Sequence, residues 1–196
     1  MVAIASRNPG KVEEILAICA DWPVRWLTAS DDPARWPDVE ETGSTYLENA
    51  LLKARAVPES LGVPAVADDS GIEVDALGGA PGMRSARFAG ERATDDENLR
   101  KLIDALGDVP PTERTARYRC VALMAGPTGT DPMWAEATCD GHLVLYPRGE
   151  GGFGYDPIFV PEGERRTMAE LGTREKDAIS HRGRAFRLLR DLITES

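Results

Sequence analysis

Ala65-Val66-Ala67-Asp68-Asp69-Ser70-Gly71-Ile72-Glu73-Val74 joins an apolar run to two adjacent carboxylates, a hydroxyl and a glycine, and then to a second apolar run. The expectation is a short buried strand ending in Asp68 and Asp69, which sets two acids at a strand terminus in an α/β core. Those groups are the parts needed to hold a divalent cation and activate water, so metal-assisted hydrolysis is the leading chemistry. A plain polar turn is the alternative, because Asp, Ser and Gly are turn formers.

Upstream, Val2-Ala3-Ile4-Ala5 reads as a buried strand, and Ser6-Arg7-Asn8-Pro9-Gly10-Lys11 follows as a tight polar loop. Val12, Ile15, Leu16 and Cys19 then recur at helical spacing. A strand, loop and helix in this order suit anion binding, because backbone N–H groups and the helix dipole at the helix start favour negative charge. Lys11 adds a full positive charge, although the loop lacks the G-x-x-x-x-G-K-[ST] pattern of a P-loop.

Val39-Glu40-Glu41-Thr42-Gly43-Ser44 leads into a second helical pattern with Leu47, Ala50, Leu51 and Ala54. Thr45 and Glu48 are spaced as a capping box, and Pro58 is expected just past the helix end. Asn49 and Lys53 are four apart and share a face off the apolar stripe. Gly151-Gly152-Phe153-Gly154-Tyr155-Asp156-Pro157 frames one phenylalanine between residues without bulk, so its ring face is available to a planar base. The other reading of that segment is a turn whose Phe153 and Tyr155 tuck into the core. Lys176-Asp177-Ala178-Ile179-Ser180-His181-Arg182-Gly183 concentrates cations and one of the two histidines ahead of an amphipathic run, Ala185, Phe186, Leu188, Leu189 and Leu192.

Leu99, Leu102, Ile103 and Leu106 mark a helix from Asp95, and Thr115 to Leu123 alternates and then turns apolar, as a strand does on entering a core. Strands and helices in this order give a mixed α/β fold. At 196 residues with 42% hydrophobic content the chain is expected to form one domain, residues 1–196, or two lobes around one cleft. Pro110-Pro111 and Gly126-Pro127-Thr128-Gly129-Thr130 punctuate it without dividing it. Cys19, Cys120 and Cys139 show neither paired ligand spacing nor an even count, which suits reduced thiols and a cytoplasmic location. No leader-like segment opens the sequence, and no apolar run is long enough to span a bilayer, so no membrane partner is expected. A net charge of -10 argues against nucleic acid as a partner.

Taken together, Ser6-x-Asn8-x-x-Lys11, Glu41-Thr42-Gly43, Glu48-Asn49-Ala50-x-x-Lys53-Ala54, Asp68-Asp69-Ser70-Gly71, Gly78-Gly79-Ala80-Pro81-Gly82 with Ser85-Ala86-Arg87, Phe153-Gly154-Tyr155-Asp156-Pro157 and Ser180-His181-Arg182 resemble the inosine triphosphate pyrophosphatase family. The motifs run in order from Ile4 to the C-terminal helix, and residues 125–138 match least. The resemblance implies an elongated mixed sheet flanked by helices, two lobes around a nucleotide cleft, and a homodimer. It further implies hydrolysis of non-standard purine nucleoside triphosphates, ITP, dITP and XTP, to a monophosphate and pyrophosphate with Mg²⁺.

On that basis Glu40 or Glu41, together with Asp69, is assigned to the metal. Asp69 is the expected general base, with Asp68 supporting or sharing the role. Lys11 and Lys53 are counter-charges, and with Lys176 and Arg182 they form a basic cluster able to draw a triphosphate. Ser6, Arg7, Asn8, Pro9, Gly10 and Lys11 are expected around the phosphates, and Ser70 is expected to bind the substrate. Phe153, Gly154, Tyr155, Asp156, Lys176, His181 and Arg182 are expected around the base. Donors from Arg182, His181 or Lys176 would pair with the six-oxo group of hypoxanthine or xanthine and meet only another donor in adenine; each mismatch costs about 1–3 kcal/mol. Rejection of guanine needs another device: crowding or an unmatched contact at its two-amino group, with Asp156 as a further participant. Two other readings remain: a related pyrophosphatase for pyrimidine or modified nucleotides, and a nucleotide-binding regulator without turnover.

Overall fold

A computed structural model describes residues 1–127 and 130–195. Thr128 and Gly129, part of the expected turn after Gly126, lie outside the described residues. Six strands are ordered β2-β1-β3-β4-β5-β6 in one sheet. They are β1 Val2–Ile4, β2 Trp26–Leu27, β3 Ala65–Val74, β4 Thr115–Ala125, β5 Met133–Leu143 and β6 Phe159–Pro161. The α-helices are α1 Pro9–Ile18, α2 Tyr46–Leu61, α3 Asp95–Ala105, α4 Thr173–Ile179 and α5 His181–Thr194. The sheet is mixed: β1 runs parallel to β2 and β3, with Ala3 opposite Ala65 and Ile4 opposite Val66, whereas β5 and β6 are antiparallel.

The chain divides into two compact units. The first comprises Met1–Asp69, Cys120–Ala137 and Arg182–Ser196; the second comprises Ser70–Arg119 and Thr138–His181.

In the first unit the two-residue period of the strands sorts side chains onto two faces. Val2, Ile4, Val66, Cys120 and Ala122 pack with Ile15 and Cys19 near α1 and with Ala185, Phe186 and Leu189 of α5. Their neighbours Ala3, Ala5, Ala65, Ala67, Val121 and Leu123 pack with Ala50, Ala54 and Val57 of α2 and with Trp36. Helices therefore cover both faces of the parallel strands, as such strands require. The second unit has its own core, in which Leu99, Leu102 and Leu106 pack with Ile72, Tyr118, Leu143, Ile158 and Phe159.

Three local expectations need correction. β3 does not stop at the acids but continues through Ser70 and Gly71 to Val74. α2 does not end before Pro58; Pro58 is buried inside it, and the end comes at Gly62, whose left-handed conformation (φ 71°) lets its N–H bond the Pro58 carbonyl. In α5 the buried stripe is Ala185, Phe186 and Leu189, while Leu188 and Leu192 are exposed. Among the described residues no helix is long and apolar enough to cross a membrane.

Candidate active site

The alternation along β3 sends adjacent carboxylates to opposite faces. Asp68 follows Val66 onto the α1 and α5 side. Its Oδ2 accepts from Lys11 Nζ at 3.2 Å and from Arg182 Nε and Nη2 at 3.1 and 3.0 Å. Arg182 also donates through Nη1 to Glu14, and the Cys120 thiol lies 3.9 Å from Asp68 Oδ2. Asp68 Oδ1 is buried and has no hydrogen-bond partner among the described residues. Burial raises the pKa of Asp68, but Lys11 and Arg182, with Lys53 behind them, outweigh it and hold the carboxyl well below its usual range.

Asp69 follows Ala67 onto the α2 side. Lys53 Nζ donates to Asp69 Oδ1 at 3.1 Å and to Glu41 Oε1 at 2.8 Å. Asn49 Nδ2 donates to Asp69 Oδ2 at 3.3 Å, while its Oδ1 accepts the Gly43 N–H at 2.8 Å. Lys53 and Asn49 are one helical turn apart, so α2 presents both to one carboxylate. Burial pushes the Asp69 pKa up; Lys53 and Lys11 oppose it and Glu41 adds to it, and the net shift is upward. Lys53 is held above its ordinary value because Asp69, Asp68 and Glu41 together overcome the effect of its burial.

Position 43 must be glycine: a Cβ there would lie 2.6 Å from Asn49 Oδ1 and 2.7 Å from Glu48 Cβ. The close approach brings Glu41 to Lys53, whereas Glu40 is exposed and lines a groove of about 630 Å³ with Asp38, Val39, Leu51, Leu52 and Arg55.

At the N-terminus, Asn8 caps α1 by accepting the Lys11 N–H at 3.1 Å, with Pro9 in the first turn. Ser6 Oγ accepts the Asn8 N–H at 3.2 Å. Pro9, Gly10 and Lys11 therefore belong to the helix, and the connecting loop is only residues 5–8. Arg7 donates to the Trp36 carbonyl at 2.5 Å.

The second unit holds another polar cluster, centred on Asp156. Its Oδ2 accepts from Lys176 Nζ at 2.5 Å and from the Phe153 N–H at 3.0 Å, and its Oδ1 accepts the Tyr118 hydroxyl at 3.2 Å. Tyr118 stacks on His181, with ring centroids 4.6 Å apart and planes 8° from parallel. Lys176 Nζ lies 5.4 Å from the centroid of the half-buried Phe153 ring. Tyr155 is buried, with its hydroxyl on the Ser85 carbonyl at 2.8 Å, and the Gly154 N–H reaches Asp95 at 3.1 Å. Gly152 has φ 71°, and a Cβ there would sit 2.1 Å from Asp156 Oδ2. Ser70 is half-buried on β3.

The expected residues thus fall into sets the sequence did not separate. Asp68 shares its surroundings with Lys11 and Arg182; Asp69 shares its own with Lys53 and Glu41; Phe153, Asp156, Lys176 and His181 form a third set. Ser180-His181-Arg182 splits, with His181 on Tyr118 and Arg182 on Asp68. Asn49, Glu14 and Tyr118 belong to these sets and were not singled out as site residues. The four-residue spacing of Asn49 and Lys53 was a usable signal; nothing local marks Tyr118 or Glu14.

Among the described residues no group of three or more His, Cys, Asp or Glu side chains is gathered as a metal cluster. Glu41 and Asp69 are nevertheless drawn to one ammonium, which makes a pair of hard oxygen donors. That donor set suits Mg²⁺, which takes one or two carboxylates and completes its shell with phosphate oxygens and water.

A sequence profile of the Ham1 family matches residues 2–192. A dITP/XTP pyrophosphatase of Streptomyces coelicolor is 50% identical over 193 residues, which cover 98% of this chain and 96% of that protein. The solved structure of a HAM1 protein from Coxiella burnetii superposes with a TM-score of 0.86 at 40% identity, covering 100% of this chain and 98% of that one. A nucleoside-triphosphatase and dITP/XTP pyrophosphatase from Mycobacterium abscessus gives a TM-score of 0.74 at 41% identity, covering 96% of this chain and 97% of that one. With residues 2–192 matched by the family profile, and with relatives 40–50% identical over nearly the whole chain that share its fold, the chain belongs to the Ham1 family.

Proposed function

We infer that this protein is a hydrolase that converts the non-standard purine nucleotides dITP and XTP, and with them ITP, to the monophosphate and pyrophosphate. The observation that carries the mechanism is the division of labour at β3, where Asp68 is locked between Lys11 and Arg182 while Asp69 faces Lys53, Asn49 and Glu41. Neighbouring carboxylates whose environments push them apart are suited to different roles.

The α1 entry from Ser6 to Lys11 and the ammonium of Lys53 receive the triphosphate through N–H groups and positive charge. A water oxygen bonds to the α-phosphorus as the bond from that phosphorus to the bridging oxygen breaks. The electron pair leaves with pyrophosphate, and the proton of the water passes to Asp69. Lys53 and Asn49 hold the Asp69 carboxylate in place for this transfer, and Asp68 serves as the buried anion that fixes Lys11 and Arg182. Glu41 and Asp69 would hold Mg²⁺, which when bound supplies charge neutralisation and a lowered pKa for water.

In the second unit, Phe153 offers its ring to the base, and Lys176 and His181 offer donors to the six-oxo group. Asp156 orients Lys176, and its carboxylate is the candidate for discriminating against guanine. Arg182, paired with Asp68 and Glu14, is assigned to the phosphate side. Residues 1–196 are read as one catalytic domain because β3, β4 and β5 each contribute residues to both units. A homodimer and a cytoplasmic location complete the reading, both supported by the family resemblance.

Hydrolysis of dITP with Mg²⁺ in H₂¹⁸O tests the reaction. Label in the monophosphate and unlabelled pyrophosphate are expected, with turnover nearly lost in a folded Asp69→Asn variant. Label in pyrophosphate, or release of orthophosphate alone, would overturn attack at the α-phosphorus.

A further inference from the structure

Tyr118 lies on β4 in an alternating segment and is 7% exposed, so its obvious role is packing. Its ring does pack edge-on against Phe159, with centroids 4.8 Å apart. Two further contacts go beyond packing. The hydroxyl donates to Asp156 Oδ1 at 3.2 Å, and the ring lies flat on the imidazole of His181 at 4.6 Å and 8°. The other oxygen of Asp156 holds Lys176 at 2.5 Å and the Phe153 N–H at 3.0 Å. One rigid side chain with two rotatable bonds before its ring therefore touches His181 directly and reaches Lys176 and Phe153 through a single carboxylate.

We infer that Tyr118 is a positioning residue for base selection: its ring sets the plane of His181, and its hydroxyl sets the Asp156 carboxylate that aims Lys176. This rests on the reading that Lys176 and His181 meet the six-oxo group. The physical reason is geometric. Discrimination by hydrogen-bond donors depends on two donors being held at one spacing, because a mobile donor can turn away from an adenine amino group and escape the mismatch that rejects it. A stacked ring and a shared carboxylate remove that freedom from both donors at once.

The test compares Tyr118→Leu and Tyr118→Phe with the wild type. The readouts are kcat and KM for dITP and dATP and the imidazole NMR resonances of His181, with His142, the other histidine, as internal reference. The wild type is expected to prefer dITP. In Tyr118→Leu the ratio of kcat/KM for dITP over dATP falls at least tenfold, with a raised KM for dITP, and the His181 resonance loses its ring-current shift while His142 stays. Tyr118→Phe keeps the His181 resonance and lowers the ratio by about tenfold, the low end for one hydrogen bond to a charged group. An unchanged ratio and resonance in folded Tyr118→Leu would overturn the inference and leave Tyr118 a packing residue. If that variant does not fold, Tyr118→Phe decides, since an unchanged ratio there overturns the role of the hydroxyl. If the wild type itself does not prefer dITP, the base-selection reading falls and takes the selectivity claim with it. The His181 resonance then decides independently whether Tyr118 sets that ring.

Discussion

Asp68 and Asp69 are chain neighbours in opposite electrostatic settings, and the difference can be measured in the metal-free protein. Asp68 is held below its usual pKa, so its contribution to stability is present above the unfolded-state value of about 3.9 and is lost only as pH falls through the lower folded value. Asp69 is raised, so the fold favours its protonated form; that advantage is complete below the unfolded value and disappears as pH rises through the folded one. In EDTA at pH 7, Asp69→Asn is expected to lower Tm less than Asp68→Asn does, because the fold already favours an uncharged group at position 69. Any shift from Asp69→Asn should vanish near pH 3, where the wild-type group is itself protonated. Asp68→Asn leaves Arg182 and Lys11 without their shared anion; breaking a buried pair costs about 3–5 kcal/mol, so Tm should drop by roughly 10 °C. Thermal melts of both variants across pH check the signs, and equal shifts would refute the separation of roles. The adjacency of the acids is visible in the sequence, as is the two-residue period that parts them. Their opposite environments are not, because Lys11 and Lys53 look equally available to either acid.

Among the elements, α2 and the 151–157 turn carry the positioning. α2 offers Asn49 and Lys53 to Asp69 on successive turns, and Asn49 also ties Gly43 and thereby the Glu41 segment. Asn49→Ala leaves the Gly43 N–H and one Asp69 oxygen without that partner, and kcat/KM for dITP is expected to fall about tenfold, the effect of roughly 1–3 kcal/mol. In the turn, Gly152→Ala would bring a Cβ against Asp156 at a positive φ. Because it displaces the Asp156–Lys176 pair, the variant should raise KM for dITP by more than tenfold while kcat changes less; steady-state kinetics would show the split. The helices were largely legible from apolar spacing, and at α2 from its cap: Thr45 accepts the Glu48 N–H, although the Glu48 carboxylate reaches back to Ser44 rather than to Thr45. The miss at Pro58 came from treating proline as a terminator, when Gly62 supplies the actual end. The miss at β3 came from ending the strand at its two acids, when burial and the sheet carry it on through Ser70 and Gly71 to Val74.

At the scale of the whole molecule, a net charge of -10 coexists with Lys11, Lys53, Lys176 and Arg182, each already facing a carboxylate. The proposed Mg²⁺ belongs to the reaction, with Glu41 and Asp69 as its proposed side-chain ligands. Its removal by EDTA is expected to abolish pyrophosphate release while moving Tm by less than about 2 °C, unlike a structural metal whose loss unfolds a domain. A calorimetric scan with and without EDTA, run beside the activity assay, distinguishes the two.

The sequence by itself determined the class of the fold, the existence of the main helices and the motif order that carries the family resemblance. These depend on interactions within a few residues: capping bonds, the 3.6 and two-residue periods, and glycine at tight approaches. Only the tertiary structure decided which cation faces which acid, that Glu41 and not Glu40 reaches Lys53, and that Tyr118 joins His181 to Asp156. Arg182 and Asp68 are separated by 114 positions, and their pairing follows from how α5 packs on the face of β3 that Val66 shares. No local pattern encodes such a choice, because a guanidinium fits any carboxylate that packing brings within reach.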